Sequence, residues 1–188
     1  MVQKVKFVNT DKSDFSKILR ERVNLYFSEN NISPYANAEM IVKSIVMFSG
    51  LFLSYGLLIS GTLPGWAMLV CCVTYGIFMS GIGFSVQHDA NHGAYSHRHW
   101  INELMGYSLN LVGGNAFTWK IQHNILHHTY TNVYGMDEDL DAGIVVRLSP
   151  KATHRPHHRY QHYFAFFLYG LVTLSWVLAK DFKKNQAV

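Results

Sequence analysis

From Ser44 to Gln87 the chain carries no Asp, Glu, Lys or Arg, and the run is interrupted near its middle by Gly61-Thr62-Leu63-Pro64-Gly65. A stretch this long and uncharged must either lie in a core or cross lipid, and in lipid only helices and closed barrels pair every backbone N–H and C=O internally. Gly and Pro punctuate helices and favour a turn, so the run reads as a helical hairpin. Its arms, 41–63 and 66–86, each supply the roughly twenty apolar residues that a hydrocarbon core requires. The alternative is a buried hairpin in a soluble protein. Neither arm reads as a signal peptide, because about forty residues of mixed charge precede the first.

Composition enters only as dilution. Hydrophobic residues make up 49% of the chain and mean hydropathy is +0.04, values that fit a membrane part joined to a polar, histidine-rich part. The expected fold class is all-α: an integral membrane helical protein with a transmembrane hairpin and a cytosolic histidine-rich helical region. Segment 1–40 is expected to be a cytosolic or interfacial amphipathic piece and 41–188 one membrane domain, with the histidine region at 87–162 and a third membrane-embedded helix at 164–180. The net charge of +4 is not gathered into a basic stripe, so no nucleic-acid partner is expected. Cys71 and Cys72 are the only cysteines, adjacent and inside the second arm, and support neither a disulfide framework nor a thiolate zinc site.

Basic residues set the expected orientation. Lys4, Lys6, Lys12, Lys17, Arg20 and Arg22 precede the hairpin and its turn holds none, which by the positive-inside rule puts the N-terminus and the chain after Val86 on the cytoplasmic side. Phe15, Ile18, Leu19, Val23 and Tyr26 recur at helical spacing behind the candidate caps Asp11 and Ser13. They describe an amphipathic helix lying on the membrane surface or on the catalytic region, or else a plain packing helix. Ile101 to Trp119 is mostly apolar but contains Glu103, Asn102, Asn110 and Gly113-Gly114, and reads as an interfacial helix that returns the chain along the membrane. The run from Phe164 to Ala179 is short, and Lys180, Lys183 and Lys184 follow it; a full crossing would put those lysines on the wrong side.

All eleven histidines fall between His88 and His162. Five form two tight clusters, His88-Asp-Ala-Asn-His92 and His123-Asn-Ile-Leu-His127-His128. Imidazole suits iron, copper and zinc, and on a helix a spacing of four puts two rings on one face. Two such helices facing each other would offer five imidazoles to one volume beside the membrane.

These residues resemble a known family. The segments QHDANHGAYS (Gln87 to Ser96), QHNILHHTYTN (Gln122 to Asn132), GMDEDLD (Gly135 to Asp141) and HHRYQHYF (His157 to Phe164) are similar to those of membrane-bound fatty acid desaturases, in particular the bacterial acyl-CoA or acyl-lipid enzymes of the linoleoyl-CoA or front-end type. The resemblance implies two iron ions held as a non-haem di-iron centre by histidines from three boxes. It also implies O2 as co-substrate and removal of hydrogens from adjacent methylenes of a long acyl chain. Carried over by position, His88 and His92 match the first box and His123, His127 and His128 the second; these five are the candidate catalytic and metal-binding residues. The third box, of the form QxxHH, is not found in these 188 residues, and the resemblance implies that the chain represents the N-terminal half of such an enzyme.

Five imidazoles supply fewer donors than two irons need. His97, which flanks the first box, and His158 with His162, which repeat the spacing of four, are therefore further metal candidates. Asp137, Glu138, Asp139 and Asp141 are candidates to hydrogen-bond the outer nitrogens of ligand histidines, while Trp119, Tyr130 and Tyr134 flank the second box and are candidates to line a channel. The partners implied are an acyl-CoA or a membrane lipid acyl chain, the membrane itself, and a separate electron donor of the ferredoxin or cytochrome b5 type; Lys151, Arg155 and Arg159 offer a basic surface for that donor or, equally, for the phosphates of a CoA or lipid headgroup. Competing readings are a lipid hydroxylase, a zinc-dependent membrane hydrolase, for which three histidines and a water suffice, and a non-catalytic metal-binding remnant.

Overall fold

The computed structural model describes residues 5, 7, 8, 13–140, 142–175 and 178. Lys4, Lys6, Asp11, Lys12, Asp141, Ala179, Lys180, Lys183 and Lys184 lie outside the described residues. Among the described residues every regular element is helical and there is no strand. Helix α1 (Phe15–Glu29) starts behind Asp14 and buries none of its residues. The long pair follows: α2 (Ala38–Ile59) and α3 (Gly65–Gly81), with α3 continuing through a π-helical stretch, π1 (Ile82–Val86), into α4 (Gln87–Asn91).

Local chemistry explains the ends of the pair. The Asn37 side chain accepts from the Met40 amide at 2.9 Å and satisfies one of the orphan donors at the start of α2. Gly61, at φ +67°, takes the left-handed turn that a side chain would resist, and the Pro64 carbonyl accepts from Ala67 and Met68 to open α3.

The two helices pack closely because Gly50 has no side chain. A Cβ there would lie 2.2 Å from the Phe78 ring, so the small residue admits the aromatic ring of the facing helix, as in membrane helix pairs. Leu51 and Ile82 form the centre of the core with Leu109, Val112 and Ala116, and Met47, Phe48 and Trp119 pack around them. The rest of the pair faces outward. Ala38–Ile59 and Gly65–Asn91 are both long and apolar enough to cross a membrane, yet only 17% and 11% of their most apolar windows are buried. Leu53, Leu69 and Val73, for example, are exposed.

Beyond α4 the chain turns at Gly93 (φ +73°). It then forms α5 (His99–Gly106), α6 (Ser108–Leu111), α7 (Ala116–Lys120), a second π stretch, π2 (Ile121–His127), and α8 (His128–Tyr130). The single interfacial helix expected over Ile101 to Trp119 is thus divided. Gly113 sits at φ +95° and a Cβ at Gly114 would lie 2.8 Å from Leu109, so the glycine pair folds the chain back on α6. Asn115 then restarts the helix by accepting from the Thr118 amide at 3.1 Å. Last comes α9 (Gln161–Ser175), reached through a 3-10 turn at Pro156–Tyr160.

Candidate metal centre

The first box rides on the end of the long helix. His88 and His92 stand one turn apart, ring centroids 4.6 Å from each other, with His92 as the last residue before the Gly93 turn. Asn91 is buried, and its amide donates to the Gln87 side chain at 2.8 Å. Asn102, on α5, holds the exit loop by accepting from the Ser96 amide at 2.8 Å and donating to the Ser96 carbonyl at 2.6 Å.

The second box lies in π2, and the pitch matters. An α-helix would place His123 and His127 on one side but carry His128 well round the axis. In a π turn the bond runs back five residues, and the His128 amide does donate to the His123 carbonyl. His123 therefore meets both partners, with ring centroids at 5.3 Å from His127 and 4.8 Å from His128. The stretch π1 ends two residues before His88, where the Gln87 amide donates to the Ile82 carbonyl.

The two boxes converge. His123 is 5.2 Å from both His88 and His92, and His128 is 4.9 Å from His92, between ring centroids. A hydrogen bond from the Asn124 side chain to the Asn91 carbonyl at 2.8 Å ties one box to the other. Donor atoms of His88, His92 and His123 all lie within 4.8 Å of one another, and so do those of His123, His127 and Asp139. The indole of Trp119 stacks on His123, centroids 4.3 Å apart, and meets His88 and His92 edge-on.

Electrostatics favour the neutral form of two of these rings, His123 and His92. Burial, and then the positive charge its neighbours His128, His92, His88 and His127 would carry, push the His123 imidazole down to about 4. Burial and the neighbours His88 and His128 lower His92 in the same direction. Neutral imidazole is the form that binds a metal. Behind the cluster, His127 Nδ1 lies 3.0 Å from Asp137 Oδ1 and 3.3 Å from Asp139 Oδ2. Burial alone would raise the Asp137 carboxyl, but hydrogen bonds from His127 and from the Asn132 and Asp139 amides hold it below the usual range. Gln122 in turn donates to Asp139 at 2.9 Å.

The other expected histidines are engaged elsewhere. His97 rests edge-on against Tyr35 at 6.1 Å, and His99 lies 3.7 Å from Glu103. His158 has both nitrogens occupied: Nδ1 accepts from the Arg155 amide at 3.1 Å and Nε2 donates to the Ile144 carbonyl at 3.1 Å. His157 reaches the same carbonyl, while His162 packs on Tyr163 at 3.9 Å. Among the described residues no ring contact links these to the five-ring cluster. Sequence reasoning passed over the amides of Asn102, Asn124 and Gln122. Their only advance signal is polar side chains on otherwise apolar helical stretches next to the boxes.

A groove of about 710 Å³ opens beside the cluster. Gly76, Ser80, Gly83 and Gln87 line it from one face of the α3–α4 helix, together with Leu109 and Val112, and His88, Trp119 and His123 line it beside the cluster. Among the described residues no Asp, Glu, Lys or Arg lines it.

Residues 64–187 match the family model for fatty acid desaturase. The chain belongs to the fatty acid desaturase family. It is 38% identical over 165 residues to the sn-1 linoleoyl-lipid 6-desaturase of Arthrospira platensis, covering 88% of this chain and 45% of that one. It is 33% identical over 176 residues to the enzyme of the same description from Synechocystis sp., covering 94% and 48%. With the acyl-lipid (8-3)-desaturase of Physcomitrium patens it shares 33% over 180 residues, 95% of this chain and 38% of that one. This member of the desaturase family spans somewhat less than half the length of these relatives. No solved structure matches the chain.

Proposed function

We propose that the chain carries the oxygen-activating site of a membrane fatty acid desaturase. The observation that carries this reading is the convergence of His88, His92, His123, His127 and His128 beside an uncharged groove that His88 and His123 line. Neutral nitrogen donors, with a carboxylate in one of the two groups, suit iron. The donor set therefore fits two neighbouring ions: His88, His92 and His123 would hold one, and His127 with Asp139 would hold the other. His123 is in reach of both groups, and its ring completes neither shell alone. His128 adds a fifth imidazole beside His92 and His123.

Iron bound there would supply activation of dioxygen. Overall, two hydrogens leave adjacent methylenes as a double bond forms, and O2 takes them up with two electrons and two further protons to give two waters. The chain's own groups do the rest. Asp137 fixes the tautomer and direction of His127 through Nδ1. Trp119 holds the plane of His123 and lines the groove beside it, and the groove aligns a linear apolar segment with the histidines. The named relatives are acyl-lipid desaturases, which favours a lipid-linked acyl chain over a CoA ester as substrate. Electrons come from a separate carrier of the ferredoxin or cytochrome b5 type, for which Lys151, Arg155 and Arg159 are exposed.

The membrane placement is part of the same proposal. Two apolar, outward-facing helices cross the bilayer as a hairpin, residues 1–40 lie at the interface, and the histidines sit on the cytoplasmic side, as the basic residues before the hairpin favour. Metal analysis of protein purified in detergent tests the chemistry. Iron approaching two per chain, lost on His123→Ala, is the expected result. One zinc per chain and no iron would support the hydrolase reading and overturn this one.

A further inference from the structure

We infer that Gly76 sets how far an acyl chain extends past the histidines, and so decides which chain lengths the groove accepts. The inference rests on the desaturase reading and adds a specificity-determining position to it. Gly76, Ser80, Gly83 and Gln87 are spaced three and four apart, so the groove follows one face of a single helix. Gly76 lies twelve residues before His88, which at the α-helical rise is about 18 Å along the axis. Gly83 is nearer, at about 7 Å on the same measure.

Neither glycine is needed for helix packing. A Cβ at Gly76 or Gly83 meets nothing within 4 Å, in contrast to Gly50 and Gly81, where one would strike Phe78 or Met47. The space beside Gly76 and Gly83 is the groove itself. Neither residue has a positive φ, so neither is kept for its backbone. A glycine in a helix interior costs about 1 kcal/mol relative to alanine. Here that cost leaves the groove open to its far end. A side chain at Gly83 would close the groove just past the histidines; one at Gly76 would shorten it at the end remote from them.

The test is equilibrium displacement of a fluorescent fatty acid from the full protein in nanodiscs by a series of saturated chains lengthened two carbons at a time. Each methylene buried raises affinity about fourfold, until the chain outgrows the groove and affinity levels off. Wild type is expected to show that rise and plateau. Gly76→Leu should reach its plateau two or three methylenes earlier, with binding of the longest chain weakened about 15- to 60-fold. Gly76→Ala should show a smaller shift in the same direction, and stands in if the leucine variant does not fold. Gly83→Leu should lose most of the length dependence. Gly56→Leu, at an exposed position with open space around it but outside the groove, should match wild type. Length-dependent binding by wild type with unchanged profiles in Gly76→Leu and Gly76→Ala overturns the inference and leaves the desaturase reading standing. No length-dependent binding by wild type overturns both.

Discussion

The indole of Trp119 lies 24° from parallel with the imidazole of His123, ring centroids 4.3 Å apart. His123 has four neighbours in the donor groups and touches both boxes, so whatever fixes its plane fixes the centre of the cluster. Trp119→Phe keeps a flat support and is expected to retain metal. Trp119→Ala removes it and should weaken iron retention about tenfold, the lower end of what lost outer-sphere support costs. Dialysis against a graded chelator, followed by metal analysis, reads the difference.

Asp137 is 2% exposed and aims its carboxylate at His127. Asp137→Asn preserves shape but withdraws the charge that directs Nδ1–H, and a 10- to 100-fold loss of metal affinity is expected. Tight metal binding in this variant, equal to wild type, would remove Asp137 from the site's support.

Gly50 leaves room for the Phe78 ring between the long helices. Gly50→Ala should destabilise the hairpin by about 1–3 kcal/mol through overpacking. Combining it with Phe78→Ala should recover part of that loss, because the two sites share one contact. Thermal unfolding in detergent of the two single variants and the double variant measures the coupling.

The metal-free protein is expected to lose stability in acid. His123 takes up its proton at about 4 in the fold but near 6.5 when unfolded. Between those values the unfolded chain binds more protons, so stability rises with pH in that window and falls as pH drops from about 6.5 through 4. Melting temperatures of chelator-treated protein across the window check this. Replacing His123 with Gln should flatten the trend relative to wild type.

Much of this was legible from residue order. The uncharged run, its Gly-Pro interruption and the spacing of His88, His92, His123 and His127 lead directly to paired helices and a convergent donor set, because hydropathy and α-helical period act locally. His128 needed more. Its place beside His123 depends on a bond reaching back five residues, and α-helical spacing points it elsewhere. The division of Ile101 to Trp119 also exceeds local reading. Gly113-Gly114 signals a break, but its direction is set by Leu109 beneath Gly114. His158 repeats a ligand spacing, yet the Ile144 carbonyl and the Arg155 amide claim its nitrogens, through contacts between distant stretches that no periodicity encodes. Asn124 likewise finds the Asn91 carbonyl only once both helices are in place.

The wide turn at Ile121–His127 makes length, and not only identity, a condition of the site. Exchanging Ile125 or Leu126 for another apolar residue leaves the rings in phase. Dropping either one swings a downstream histidine out of register with its partners across the gap, so this stretch should accept many spellings and no deletions.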